Sequence, residues 1–259
     1  MKTKTKQAVI TGASKGLGKC FAWECAKRGY DLFLIARSKQ LLTELAVEIK
    51  VKYGVNVTTM PADLSREPEV KSLADKLSKM PAIELLINNA GFAIPSLFAD
   101  SDIEAQLNMV RVHNEAMLRL TRAILPGMKN NKKGSIINVS STMAYIPFVA
   151  NTVYGASKAF INTFSDVLQR EVQAYGITIQ ALNPGLTRTE FHKTDAFKRI
   201  KKMDKNRRAM APEDVVQISF ENLGKKLIVI PGFGNKLSLL FKAQIAKSFN
   251  QKIMKGIIK

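Results

Sequence analysis

Two cysteines, two histidines and one tryptophan are all that 259 residues contain of those types. Cys20 and Cys25 lie five apart in a stretch patterned as a helix, on different faces, so a bridge between them is not expected. That excludes a disulfide framework, and unpaired thiols suit a reducing compartment. His113 and His192 lack metal-ligand spacing to any cysteine or carboxylate, and no metal site is expected. Long apolar runs are missing too: none approaches the ~18 residues of a membrane-spanning helix. The apolar run after the basic segment 1–6 is too short for a signal peptide. The expectation is a soluble, cytoplasmic protein. Acidic residues are scarce, 21 against 40 Lys+Arg, which leaves a net charge of +19. Such an excess invites nucleic acid, an anionic membrane surface or phosphate-bearing small molecules, although Lys-rich surfaces also serve solubility alone. No helix-turn-helix, zinc-finger or RNA-binding sheet signature accompanies the charge and aromatics reach only 7%, so nucleic acid is not an expected partner.

What the chain has is alternation. Short apolar, β-branched runs at 8–11, 31–36, 56–60, 85–88, 135–139, 178–182 and 227–230 read as strands. Amphipathic stretches at 18–28, 39–52, 67–79, 103–128 and 154–175 read as helices between them. Near-continuous apolar strands separated by helices predict an α/β fold: one doubly wound, Rossmann-type parallel sheet of about seven strands covered on both faces. With no repeat, linker or composition break, residues 1–259 are expected to form one domain, with a substrate lid at 187–211 and a tail at 233–259. Ligands of such sheets sit beyond the carboxyl ends of the strands, so chemistry is expected in the residues that follow each strand.

The first strand runs into Thr11-Gly12-Ala13-Ser14-Lys15-Gly16-Leu17-Gly18 and then a helix. Glycines at 12, 16 and 18 permit a tight turn and close backbone approach, and the helix N-terminus offers free N–H groups to a pyrophosphate. Arg37 ends the second strand, where an acidic residue would bind a free ribose 2′-hydroxyl and Arg suits a 2′-phosphate. With Lys15 able to approach the same phosphate, NADP(H) is expected over NAD(H). Asp63, after the third strand, is placed either to accept from the adenine amino group or to cap a helix. Tyr154 and Lys158, four apart on a helix, share one face. A free phenol has a pKa of about 10, and a Lys ammonium about 4 Å away at an effective dielectric of about 20 would favour the phenolate by roughly 4 kcal/mol. That is enough to lower the tyrosine by up to about three units and make it an acid/base near neutrality. Alone, the pair would be no more than a solvated Tyr and Lys.

They do not stand alone. The Gly12/Gly16/Gly18 turn, Asn88-Asn89-Ala90-Gly91, Asn114, Ser141, Tyr154-x-x-x-Lys158 and Pro184-Gly185 occur in the order and approximate spacing of the short-chain dehydrogenase/reductase family, which the chain resembles over about 7–190. Within it, the tail and Tyr154 region look like the ketoacyl and hydroxysteroid reductase branch. The resemblance implies that Tyr154 exchanges a proton with a carbonyl or alcohol, and that Lys158 lowers its pKa and binds the nicotinamide ribose. It implies that Ser141 holds the substrate oxygen, Ser140 serves structure, and Asn114 holds a relay water. Ser14, Leu17 and Leu64 join the expected cofactor contacts; Asn88, Ala90 and Gly91 would line the adenosine side and brace the sheet. Pro184, Gly185, Thr187 and Thr189 would hold the carboxamide. Homo-oligomers, dimers or tetramers, are common in the family.

Two segments go beyond these motifs. Residues 187–210 carry Lys193, Lys198, Arg199, Lys201, Lys202, Lys205, Arg207 and Arg208 against Asp195 and Asp204, a pattern fit for an anionic thioester or carrier, or for a solvated lid. From Asn222 onward there is no acidic residue, and lysines interleave with Leu237, Leu239, Leu240, Phe241, Ile245, Phe249, Ile253 and Ile257. This basic amphipathic tail is expected either to pack over its own substrate cleft or to contact an anionic membrane or a second subunit. The alternative to an enzyme is a silent NADP-binding regulator, but such proteins typically lose the tyrosine or the lysine, and both are present.

Overall fold

The computed structural model describes residues 6–80, 83–190, 209–241, 244 and 246–247. Seven strands, β1 (Gln7–Thr11), β2 (Asp31–Ala36), β3 (Val57–Pro61), β4 (Ile83–Asn88), β5 (Gly134–Val139), β6 (Ile177–Leu182) and β7 (Ile228–Val229), form one sheet in the order β3-β2-β1-β4-β5-β6-β7. Every pairing is parallel. The order reverses between β1 and β4, which opens the switch point where such sheets bind ligands.

Alternate residues of each strand feed opposite faces. Ala8, Ile10, Leu32 and Leu34 pack with Phe21, Cys25, Leu42, Leu45, Val215 and Val216, which belong to α1 (Gly16–Lys27), α2 (Lys39–Tyr53) and α7 (Pro212–Asn222). Val9, Phe33 and Ile35 pack with Val70, Leu73, Leu120, Ile124 and Leu168, from α3 (Glu67–Ser78), α5 (Ala116–Asn131) and α6 (Thr152–Val172). With three helices on each face, the expected single-domain, doubly wound parallel sheet is the fold.

Two elements depart from the sequence pattern. The stretch 103–128 is not one helix. It runs as α4 (Ile103–Val110), a wide π-helical turn (Arg111–Glu115) and α5 (Ala116–Asn131). Periodicity cannot reveal a widened turn, because the apolar stripe merely rotates; such turns gather at functional sites. Helix α7 was not expected, although Pro212 in its first turn and Glu213 and Asp214 beside it are helix-start signals.

Of the segment expected to be a lid, 191–208 lies outside the described residues; the residues that flank it pair. Thr187 bridges Met210, the Arg188 N–H donates to Met210 O at 2.9 Å, and the Met210 N–H donates to Leu186 O at 2.9 Å. The tail is described through α8 (Phe233–Leu240). Leu239 and Ala246 pack on Met143, Tyr145, Ile146 and Phe148, so this part of the tail lies on its own domain beside the segment after β5. Phe233, Leu240 and Phe241 remain exposed, at 80%, 77% and 53%.

Candidate active site

The glycine turn is a backbone cradle. Gly12 and Gly16 adopt positive φ, +65° and +54°, which glycine alone takes without strain. A Cβ on Gly18 would collide with the Gly12 carbonyl, and one on Gly12 would come within 2.9 Å of Ala90 Cα. Asn89 ties the turn to the end of β4: its Nδ2 donates to Thr11 O at 2.9 Å and Gly12 O at 3.2 Å, while the Thr11 hydroxyl accepts from the Asn89 and Ala90 N–H groups, each at 3.0 Å. The first turn of α1 carries no acidic residue and no side-chain cap, so its N–H groups and positive dipole end are free for an anion. Ser14 is half-buried at the turn, and Leu17 packs on the core beneath it. This cradle, where a single methyl group would fill the space, fits a pyrophosphate.

Arg37 is exposed just beyond β2, and its charge reaches Asp63. The Asp63 carboxylate accepts from the Ser65 N–H at 3.0 Å and the Ser65 hydroxyl at 2.8 Å. It does not cap α3, whose N-cap is Arg66. Partial burial pushes Asp63 upward, but the two bonds from Ser65 and the nearby Arg37 and Arg66 outweigh it and hold the carboxyl below its ordinary value. Lys15 pairs with Glu190 at 3.2 Å, both side chains more than half exposed. Leu64 is buried beside Asp63. Asn88 is a sheet brace: its Nδ2 donates to Asn138 Oδ1 at 2.9 Å and Thr121 Oγ1 at 3.2 Å.

The second cluster gathers where β5 and β6 end. Ser141 caps a short 3-10 turn, accepting from the Met143 N–H at 3.1 Å, and it also hydrogen-bonds Tyr154. Lys158, 4% exposed, donates from Nζ to Val139 O at 3.0 Å, and that Nζ lies 5.7 Å from the Tyr154 ring centre. The Ser140 hydroxyl donates to Lys158 O at 2.8 Å. Pro184 is buried, its carbonyl accepting from the Thr142 N–H at 3.0 Å, and Thr187 Oγ1 donates to Gly185 O at 3.1 Å. Thr189 sits against Gly16, closing the gap between the two clusters.

Electrostatics here differ from the expectation that Lys158 would draw the tyrosine down by several units. Burial raises Tyr154 to about 12, only partly offset by the Ser141 hydrogen bond, and burial lowers Lys158 to about 7. The Coulomb argument presumed a charged lysine in a half-wet site; a dry site first penalises both charges.

Asn114 directs its amide to Ser157 O at 3.0 Å, one residue before Lys158, and among the described residues no hydrogen bond joins the two side chains. The neighbour that reaches the pair is His113, 2% exposed, whose ring meets Tyr154 edge to face at 5.7 Å. Sequence reasoning weighed His113 only as a metal ligand; its place in an apolar helix was a signal of burial. Asn235 was missed as well. It packs against Gly185, where a Cβ would collide with it, and donates to Pro231 O at 2.7 Å. No group of three or more His, Cys, Asp and Glu fit to hold a metal occurs among the described residues. Nor is any described helix long and apolar enough to cross a membrane.

A family model described as short chain dehydrogenase matches residues 6–199. A very-long-chain 3-oxoacyl-CoA reductase of Laccaria bicolor is 38% identical over 180 residues, 68% of this chain and 53% of that protein. The 17-beta-hydroxysteroid dehydrogenase type 3 of Homo sapiens is 36% identical over 180 residues, 68% of this chain and 57% of that protein. The chain thus spans little more than half the length of these curated relatives. Among solved structures, a short-chain dehydrogenase from Sphingobium yanoikuyae in complex with NADPH superposes with a TM-score of 0.82 at 30% identity, covering 96% of this chain and 95% of that one. The chain belongs to the short chain dehydrogenase family, among relatives of its ketoacyl and hydroxysteroid reductase branch.

Proposed function

We propose that the protein is an NADP(H)-dependent oxidoreductase that interconverts a carbonyl and an alcohol on a small-molecule substrate. One observation carries this reading: Tyr154, hydrogen-bonded to Ser141 with Lys158 one helical turn on, is buried at the carboxyl end of the sheet beside a glycine cradle shaped for a pyrophosphate. When bound, the nicotinamide supplies or accepts the hydride. Tyr154, kept protonated by burial, donates its proton to the substrate oxygen during reduction. Ser141 is placed to hold that oxygen, and Lys158, poised at about 7, takes up positive charge as the phenolate forms nearby. Arg37 would hold a 2′-phosphate, with Asp63 and Leu64 toward the adenine. Asn88, Ala90 and Gly91 would flank the adenosine, and Pro184, Gly185, Thr187 and Thr189 the carboxamide. Asn114 would hold a water in the proton path, as the family resemblance implies. The similarity to 3-oxoacyl-CoA reductases and a hydroxysteroid dehydrogenase supports a substrate with a bulky apolar part, such as an acyl thioester or a steroid.

The test follows NADPH absorbance with ketones, aldehydes and β-ketoacyl thioesters, for wild type and Tyr154→Phe, and repeats it with NADH. Carbonyl-dependent oxidation that favours NADPH and disappears in the variant is expected. Turnover that survives in Tyr154→Phe sinks the mechanism, and NADPH binding without any turnover would make the protein a silent sensor. Exposed Phe160 and Val167 on α6 support assembly into a dimer or tetramer, which light scattering on the purified chain decides. Exposed Phe233, Leu237, Leu240 and Phe241 support peripheral contact with an anionic membrane. Vesicles rich in phosphatidylserine should then sediment wild type but not Leu237→Glu/Leu240→Glu.

A further inference from the structure

His113 lies in the π-helical turn, almost without solvent contact, and every edge of its ring is engaged. The Phe92 N–H donates to Nε2 at 3.1 Å. A backbone N–H can only donate, so Nε2 carries no proton and a neutral ring must carry its proton on Nδ1. Nδ1 lies 2.9 Å from Ser157 Oγ and donates to it, and that hydroxyl donates onward to Tyr154 O at 2.8 Å. The ring also meets Phe92 and Tyr154 edge to face at 6.0 and 5.7 Å. The point that a Cβ on Gly91 would occupy is 2.9 Å from His113 Nε2 and 3.5 Å from Lys158 Nζ. One side chain thereby touches the segment after β4, the start of α6 and the face of the Tyr154–Lys158 pair.

We propose that His113 is a positioning residue for proton transfer, a neutral Nδ1–H imidazole that fixes the Tyr154 ring and the Gly91-Phe92 backbone relative to Lys158. The proposal rests on the carbonyl-reductase reading of that pair. A cationic ring could not accept from Phe92 and would face the Lys158 ammonium. Burial first, and then the Lys158 charge, hold the ring neutral well below its ordinary pKa. Tyr154 is the other titratable neighbour on α6. The carboxylates near the ring, Glu104 of α4 and Glu115 at the end of the turn itself, are paired with Arg111 and Arg119. His113 therefore acts through the geometry of Tyr154 and not by exchanging protons with substrate.

Three variants separate its roles. His113→Phe keeps the ring and removes both hydrogen bonds, His113→Gln restores an acceptor for Phe92, and His113→Asn restores a donor for Ser157. His113→Phe is expected to bind NADPH within about twofold of wild type and to lose about tenfold in kcat with little change in KM, the scale of one or two net hydrogen bonds. His113→Gln is expected to recover most of the loss and His113→Asn part of it. In tyrosine-labelled protein, the Tyr154 phenol titration, assigned by its disappearance in Tyr154→Phe, should move in His113→Phe and return in His113→Gln. Unchanged kcat, or an unmoved phenol titration, in His113→Phe overturns the proposal. Should His113→Phe not fold, nitrogen NMR of histidine-labelled wild type decides: an Nε2–H tautomer, or a ring that titrates at about 6.5, is the contrary result. A wild type that reduces no carbonyl would defeat the reductase reading, while the phenol titration and the tautomer still judge the role of His113.

Discussion

The two halves of the sheet build their sites by opposite means. At the ends of β1, β2 and β3 the site is backbone: Gly12, Gly16 and Gly18 make room, α1 supplies N–H groups, and the charged side chains of Lys15 and Arg37 stand in water. Where β4, β5 and β6 end, the site is side chain, and what can ionise is dry. Tyr154 is 9% exposed, Lys158 4% and His113 2%. Exposed cations recognise an anion and cost the fold little, whereas buried ionisable groups hold a reactive proton at the expense of stability. The first half should thus govern affinity and its salt dependence, the second turnover and its pH dependence.

The largest effect is expected from Tyr154→Phe, which removes the proton and leaves the ring. Turnover should fall by about 10²- to 10⁴-fold, the usual worth of positioned acid catalysis, while NADPH binding measured by fluorescence stays within about twofold. A comparable loss of NADPH binding would erase the division between the halves.

Lys158→Met comes next, and its signature is in stability. Folding holds Lys158 neutral down to about 7, whereas the unfolded chain keeps the proton up to the ordinary 10.5. In that window the unfolded state binds more protons, so stability rises with pH by up to about 1.4 kcal/mol per unit. Above pH 10 Tyr154 opposes this, since its proton is retained in the fold to about 12. Urea melts of Lys158→Met should lose the slope between pH 7 and 10 and show a variant more stable than wild type at pH 7, yet inactive. A variant less stable at neutral pH would mean that Lys158 does not carry a burial cost.

Arg37→Ser should weaken NADPH by about 10- to 100-fold, the range of a charge-assisted bond of about 1.5–3 kcal/mol, and leave NADH nearly unchanged. In wild type the NADPH KM should rise with salt, and in the variant that dependence should shrink. Equal losses for both cofactors would place Arg37 in the fold and not at the phosphate.

The same division explains what the sequence made legible. Backbone devices leave marks in residue type: Gly12, Gly16 and Gly18 announced the cradle, and apolar runs between helical patterns announced a parallel sheet covered on both faces. The spacing of Tyr154 and Lys158 announced a shared face. Spacing does not show how dry the pair is, so the expectation that Lys158 lowers the Tyr154 pKa left out the cost of burial. The π-helical turn was hidden because Arg111–Glu115 keeps the composition of a helix while turning His113 into the site beside Asn114. Residues 212–222 carried helix-start signals but none of the motif residues on which the reading was built, and α7 was passed over.

The smallest effect tests the first half at its weakest point. Lys15 was expected near the 2′-phosphate, but in this structure it pairs with Glu190, and such exposed pairs contribute about 0.2–1 kcal/mol. If the pair competes with the phosphate, Glu190→Gln frees Lys15 and should tighten NADPH by about two- to threefold, with the melting temperature unmoved and NADH affinity unchanged. The gain should vanish in Lys15→Ala/Glu190→Gln, because no cation is then released. It should also fade in high salt, as an exposed charge effect must. An identical gain in the double variant would assign the effect to Glu190 repelling the anion, and Lys15 would drop out of the cofactor site.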